Sequence, residues 1–312
     1  MKKSIHLLIV FALSAMTISS CQEKEPVSDP TAKLNFFFSI ADKQVAFTAM
    51  INYGDVFLWD FGDGQTSSEK DPVHVYSTGG TYDVKLSVTG KGDTKTITKE
   101  VSLALSSLQM LAGDNRYPNG KKWKISNGHS ATDKFALADD NFTSIQALSA
   151  GILGSGLGLS EVYDDEFVFK IDGSYQHLPK HGGSLAGLVY VMATTQGAGI
   201  LKATPTSQEF GLCYAAYTPQ AGATYTFGEN QNFTLATVST NGNTVTERTY
   251  RNVMTLRFSG TEFIGFMDFT RDCIILSLTP EKMQLALFVC TTQGANYNKP
   301  THAVLLTFEV VK

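Results

Sequence analysis

Apolar residues in this chain alternate with polar ones in short runs, and long stretches with the three-to-four-residue spacing of a helix are missing. Val45-Ala46-Phe47-Thr48-Ala49-Met50, Tyr82-Asp83-Val84-Lys85-Leu86-Ser87-Val88 and Phe167-Val168-Phe169-Lys170-Ile171 show the pattern. Successive side chains on a strand point to opposite faces, so such runs bury one face and leave the other wet. Further strands are expected at 121–125, 187–193, 210–217, 234–238, 253–258, 263–266, 274–278, 285–289 and 303–311. Asp172-Gly173, set between alternating runs, signals a hairpin. Only Leu105, Leu108, Leu111 and Ala112 hint at a short helix. Many strands without intervening helices specify an all-β protein of packed antiparallel sheets. The 312 residues suffice for two domains. A net charge of -4 gives no broad basic surface, which argues against nucleic acid as a partner.

The N-terminus reads as an address. Lys2 and Lys3 precede an apolar run from Ile5 to Ile18 that is shorter than the ~20 residues of a membrane span, as in a bacterial export signal. Ile18-Ser19-Ser20-Cys21 resembles a lipobox, which implies cleavage of residues 1–20 and lipidation of Cys21. More than one acyl chain, at ~0.8 kcal/mol per buried CH₂, makes such an anchor effectively permanent. Residues 21–31 are polar and Pro-containing, a tether unable to bury enough apolar surface to fold. The tract Gln22-Glu23-Lys24-Glu25 resembles the signal that sends many Bacteroidota lipoproteins to the outer face of the outer membrane.

Residues 32–105 carry Trp59-Asp60-Phe61-Gly62-Asp63-Gly64, then Pro72, His74-Val75-Tyr76 and Gly80-Thr81-Tyr82. In this order they resemble a PKD domain, which implies an immunoglobulin-like sandwich acting as a spacer or contact module. Trp59 and Phe61 share one strand face, Gly62 and Gly64 allow a tight turn, and Asp60 and Asp63 can cap it. A structural role outweighs a metal or acid–base role for these carboxylates, because no matching cluster stands nearby.

Residues 106–312 suit a larger sandwich of jelly-roll or lectin-like type. The Lys121-x-Trp123 strand with Gly128-His129 shortly after it, Tyr163-Asp164-Asp165-Glu166-Phe167-Val168-Phe169 with its Asp172-Gly173 hairpin, Leu256-x-Phe258-Ser259-Gly260 and Ile275-Leu276-Ser277-Leu278-Thr279 resemble the C-terminal domain of Bacteroidota PKD lipoproteins encoded beside polysaccharide-uptake systems. That resemblance implies a polysaccharide or oligosaccharide ligand and an outer-membrane uptake complex as partner. It lacks the paired tryptophans of those relatives: 141–158 offers only Phe142. Sugar rings need a flat aromatic platform beside polar groups. Trp123, Tyr214, Tyr217 and Tyr297 are the candidates, with Tyr190 and Tyr225 as further aromatics. Trp123 plugs the core or faces a groove; the high average burial of tryptophan favours the core. Asn296-Tyr297-Asn298-Lys299-Pro300 reads as an exposed ligand rim.

Other chemistry is thinly represented. Asp164-Asp165-Glu166 reads as a solvated strand end, since three neighbours on a strand cannot converge on a cation. His177 and His181 read as exposed, without partners to complete a zinc set. No nucleophile elbow, Walker loop or Rossmann fingerprint occurs, so neither catalysis nor a cofactor is expected. A register placing Leu278 opposite Leu285 sets Cys273 opposite Cys290, with Cβ atoms roughly 4.5–5.5 Å apart; a disulfide and two buried thiols are equally weighted readings. The expected function is non-catalytic capture of an extracellular polysaccharide for uptake, with adhesion to another protein as the alternative.

Overall fold

A computed structural model describes residues 33–51 and 54–312. The export signal, Cys21 and the whole of the tether, 21–31, lie outside the described residues. Seven strands form the first unit: β1 (Asn35–Ala41), β2 (Gln44–Met50), β3 (Val56–Asp60), β4 (Thr66–Ser67), β5 (Val73–Val75), β6 (Gly80–Gly90) and β7 (Asp93–Leu103). They make two sheets, ordered β1-β2-β5 and β4-β3-β6-β7. Alternation sets which faces meet: Phe36, Val45, Phe47, Trp59, Val84 and Leu86 point inward and are buried. The Trp59 indole N–H donates to Glu69 O at 3.0 Å, so the largest core side chain keeps its one polar group satisfied. After β3 the chain turns through Gly62 (φ 78°) and Gly64 (φ 86°). A Cβ on Gly62 would come within 2.9 Å of Asp83 O, so backbone approach as well as the turn requires glycine there. Asp60 Oδ1 accepts from Gly62 N at 3.0 Å, and Asp63 Oδ1 from Gln65 N at 3.0 Å, which is the expected capping.

The expected short helix is α1 (Ser107–Ala112). Ser106 and Gln109 form a capping box, and Gln109 Nε2 reaches back to Gly79 O at 2.8 Å, tying the helix to the first unit.

The second unit continues with β8 (Lys121–Ile125), β9 (Lys134–Leu137), β10 (Ser144–Ala147), β11 (Glu166–Phe169), β12 (Tyr175–Leu178), β13 (Gly183–Gly187), α2 (Leu188–Thr195), β14 (Ile200–Lys202), α3 (Pro205–Glu209), β15 (Leu212–Ala216), β16 (Tyr225–Val238), β17 (Val245–Phe258), β18 (Cys273–Leu278), β19 (Lys282–Val289) and β20 (His302–Val310). A long sheet runs β12-β11-β8-β20-β19-β18-β17-β16, with β9 against β20 and β10 beyond it. A small sheet, β13-β15-β14, contributes Leu185, Leu212 and Tyr214 to a core shared with Leu256, Ile275, Leu285 and Leu306 of the long one. The protein is therefore all-β, a PKD-type sandwich followed by a larger β-sandwich.

Three expectations require correction. Residues 187–193 are not a strand: after Gly187 the chain turns into α2, where the Thr194 and Thr195 hydroxyls bond back to Tyr190 O and Val191 O at 2.8 and 2.7 Å. Residues 263–266 form no strand either but part of a buried connection between β17 and β18. The β18–β19 register also differs. Thr279 N bonds to Lys282 O at 2.8 Å, a tight turn that pairs Leu278 with Met283 and Ile275 with Leu285. Cys273 and Cys290 are thus out of register, and both are free, buried thiols, as is Cys213.

Candidate ligand-binding site

Trp123 stands on the central strand β8, fully buried, its indole N–H donating to Leu111 O at 2.7 Å. It is a core residue and offers no face to a ligand. Tyr214 is buried as well, and burial pushes its hydroxyl up to about 12. Tyr225 is likewise internal, donating to Lys170 O at 2.8 Å. The platform foreseen at these three positions is absent.

The structure instead brings Tyr217, Tyr190 and Tyr297 toward one surface. A cleft of 230 Å³ opens between α2 and the end of β15, lined by Tyr190, Tyr217, Thr194, Thr218, Thr261 and Arg271, among others. Tyr190 is half-buried on α2; Phe269, half-buried, meets it edge-to-face with centroids 5.1 Å apart. The exposed Tyr297 meets Phe269 in turn, edge-to-face at 5.4 Å. Tyr190, Phe269 and Tyr297 thus form a row running from the cleft to the loop foreseen as a ligand rim. Arg271 closes the cleft end: Nη2 donates to the Tyr190 hydroxyl at 2.8 Å, Nη1 donates to Thr261 O, and the guanidinium stands 5.6 Å from the Tyr190 ring centre.

The segment carrying Phe269 and Arg271 is fixed from below. Met267 N donates to Leu185 O, and Gly187 N to Met267 O, both at 2.9 Å. Asp268, fully buried, accepts from Phe269 N at 2.7 Å and from Cys290 N at 3.0 Å. Burial pushes its carboxyl up to about 7 against the pull of those donors. Gly187 lies so close to this carboxylate that any side chain there would strike it.

Next to the cleft lies a polar cluster that the sequence did not suggest. Asp165 and His177, expected to be solvated and exposed, are both buried, 3.5 Å apart. His177 stacks on Tyr217 at 5.1 Å, because β12 turns Tyr175 and His177 to its inner face. Burial, and then the Glu262 carboxylate beside it, push the Tyr217 hydroxyl up. Asp165 Oδ2, both His177 ring nitrogens, Ser184 Oγ and the Tyr214 and Tyr217 hydroxyls have no hydrogen-bond partner. Asp164 and His181 do remain outside, paired at 2.8 Å. Among the described residues no group of three or more His, Cys, Asp or Glu side chains is arranged to hold a metal ion.

A larger cleft of 560 Å³ lies elsewhere, lined by Tyr117, Lys124, Lys282 and Glu309. Lys124 and Glu309 in its wall stand 3.5 Å apart, and it has one aromatic side chain, so it lacks the aromatic row of the Tyr190 cleft.

Sequence alone pointed to Tyr217 and Tyr297 but missed Phe269, Arg271 and Asp268. The segment Asp268-Phe269-Thr270-Arg271 sets an aromatic and a cation among polar residues, and that was the available signal.

Residues 28–104 match the PKD domain family. A collagenase of Bacillus cereus is 46% identical over 56 residues, which are 16% of this chain and 6% of that protein. A microbial collagenase of Vibrio alginolyticus is 40% identical over 86 residues, 26% of this chain and 10% of that protein. The chain therefore spans only a small part of these relatives' length. Among solved structures, a PKD domain from Vibrio anguillarum is 31% identical, covering 24% of this chain and 95% of that one, with a TM-score of 0.23. A structure described as one of carbohydrate-binding modules from the β-sandwich superfamily is 14% identical, covering 90% of this chain and 92% of that one, with a TM-score of 0.25.

Proposed function

We propose that this chain is a non-catalytic cell-surface lipoprotein that captures an extracellular polysaccharide and passes it to an outer-membrane uptake complex. One observation carries the ligand part: a row of half-buried and exposed aromatics, Tyr190, Phe269 and Tyr297, continuous with a hydroxyl-lined cleft. Ring faces cover the apolar C–H side of a sugar, while Thr194, Thr218 and Thr261 meet its hydroxyls. The described lining residues include no carboxylate, whereas retaining hydrolysis needs two, ~5–5.5 Å apart. In this reading the PKD domain is the spacer and a lipid on Cys21 is the attachment.

A second reading, adhesion to a protein, draws on the first unit. The outer face of β1-β2-β5 exposes Phe37, Val73 and Val75, each more than half accessible. Large exposed apolar patches mark protein contacts.

Affinity electrophoresis of the full chain in mild detergent against plant, host and microbial polysaccharides tests the first reading. Retardation that Tyr190→Ala and Phe269→Ala abolish, with far-UV circular dichroism unchanged, is the expected result. No retardation across the panel transfers the function to adhesion. Loss of palmitate labelling in Cys21→Ala checks the anchor, and protease accessibility on intact cells checks display.

A further inference from the structure

We propose that the cleft beside Tyr190 takes an acidic glycan, with the Arg271 guanidinium gripping the carboxylate of a uronic acid unit. The inference deepens the polysaccharide reading and rests on it.

Of the five arginines, Arg116, Arg248 and Arg257 each stand beside a carboxylate, at 2.8, 3.0 and 3.7 Å. Arg251 and Arg271 have no such pair among the described residues, and of these two Arg271 lines the cleft. The partners given to Arg271 are a phenol hydroxyl, a main-chain carbonyl and a ring face, all neutral. No carboxylate lies within ion-pairing distance of it among the described residues. Those neutral contacts hold the planar fork in place before any ligand arrives, which reduces the ordering cost of binding. A fixed guanidinium with N–H groups to spare matches the two oxygens of a carboxylate better than a hydroxyl does.

Two buried acidic groups lie near it, neither paired with it. Asp268 feels the Arg271 charge but gives its two oxygens to the amides of Phe269 and Cys290; Glu262 accepts from Gln220 N at 2.5 Å through one oxygen, and its carboxylate stands beside Tyr217. Neither lines the cleft, so neither competes for the outward edge of Arg271. At 230 Å³ the cleft is smaller than the ~300–1,000 Å³ of drug-sized sites, which fits a single sugar unit. The adjoining row through Phe269 to Tyr297 then supports the units that follow in the chain.

The test is titration of the full chain in mild detergent with polygalacturonate, alginate and hyaluronan, each beside its carboxyl methyl ester. Agarose and carrageenan serve as a neutral and a sulfated galactan. At least one uronate is expected to bind about tenfold more tightly than its ester, the worth of one charged hydrogen bond. Arg271→Gln should erase that ratio, and Arg271→Lys should leave part of it. If acid and ester bind alike, or Arg271→Gln leaves the ratio intact, the uronate inference falls while polysaccharide binding stands. A preference for carrageenan over agarose without any uronate preference moves the anion to sulfate and overturns the carboxylate assignment. If no glycan binds at all, the polysaccharide reading itself falls.

Discussion

Each unit of this protein buries one tryptophan and gives its indole N–H a main-chain carbonyl, Glu69 O for Trp59 and Leu111 O for Trp123. They part in how they treat their other buried polar groups. In the first unit His74 stacks on Phe61 at 4.0 Å and meets Asp63 at 2.8 Å, while the Tyr76 hydroxyl donates to Phe61 O at 3.1 Å. The described buried side-chain atoms that lack a close hydrogen bond all belong to the second unit, on Asp165, His177, Ser184, Tyr214, Tyr217, Glu262 and Thr292, although Asp165 faces His177 at 3.5 Å and Glu262 stands beside Tyr217. An unpartnered buried group costs about 1–3 kcal/mol. A chain that only needed to stand would have little reason to retain several beside one cleft. The first unit is finished as a scaffold, and the second is left open around Tyr217 and Glu262.

The two tryptophans give the sharpest test of that division. Trp59→Ala and Trp123→Ala should each cost ~3–5 kcal/mol, as for other large-to-small core changes. Calorimetry should show the first lowering the melting of the PKD unit and the second that of the larger sandwich. A single transition moved equally by both would mean that the α1 junction, through Gln109 and Gly79, couples the units into one cooperative block.

Two buried carboxyls extend the contrast within the second unit. Asp133 is buried, which would raise it, yet hydrogen bonds from His129, Thr307 and Ser130 hold it down to about 2. Asp268 is pushed up to about 7. The signs are opposite. A lowered carboxyl contributes stability present above the unfolded value near 4 and lost as pH falls toward 2. A raised one contributes fully below pH 4 and loses that contribution as pH rises through 7. Stability should therefore fall from pH 4 to 7 by up to ~4 kcal/mol on account of Asp268. Asp268→Asn should flatten that limb in urea titrations. Asp133→Asn should flatten the acid limb, by about 2 kcal/mol. A pH 4–7 slope unchanged in Asp268→Asn would show that the carboxyl at this site is ionised throughout that range.

What could be read from the sequence follows from how local each determinant is. The PKD turn is written within Trp59 to Gly64, and its caps and strands appear as expected. The β18–β19 pairing failed because Thr279 and Lys282 close a tighter turn than the apolar pattern suggested. His177 was legible in retrospect: it stands two residues from Tyr175 on one strand and so shares its buried face. The site was not legible as a whole. Tyr190 comes from α2, Phe269 and Arg271 from the β17–β18 connection, and Tyr297 from the loop before β20. Only packing brings such distant positions together, and alternation within each segment says nothing about which segments meet.

The smallest effect on stability should come with a measurable loss of binding, at Tyr297. Its ring is 40% exposed and touches Phe269 by an edge, so little area is lost on truncation. Tyr297→Ala should change unfolding free energy by no more than ~0.5 kcal/mol, as surface substitutions do. A sugar ring stacked on it would lose roughly 1–2 kcal/mol, or about tenfold in Kd. Phe269→Ala should move both quantities, because Phe269 joins Tyr190 and Tyr297 in the row. If Tyr297→Ala left polysaccharide affinity untouched while Tyr190→Ala abolished it, the ligand would be confined to the cleft. The row beyond Phe269 would then be ordinary surface packing, and the open half of the second unit would shrink to the hydroxyls around Tyr217.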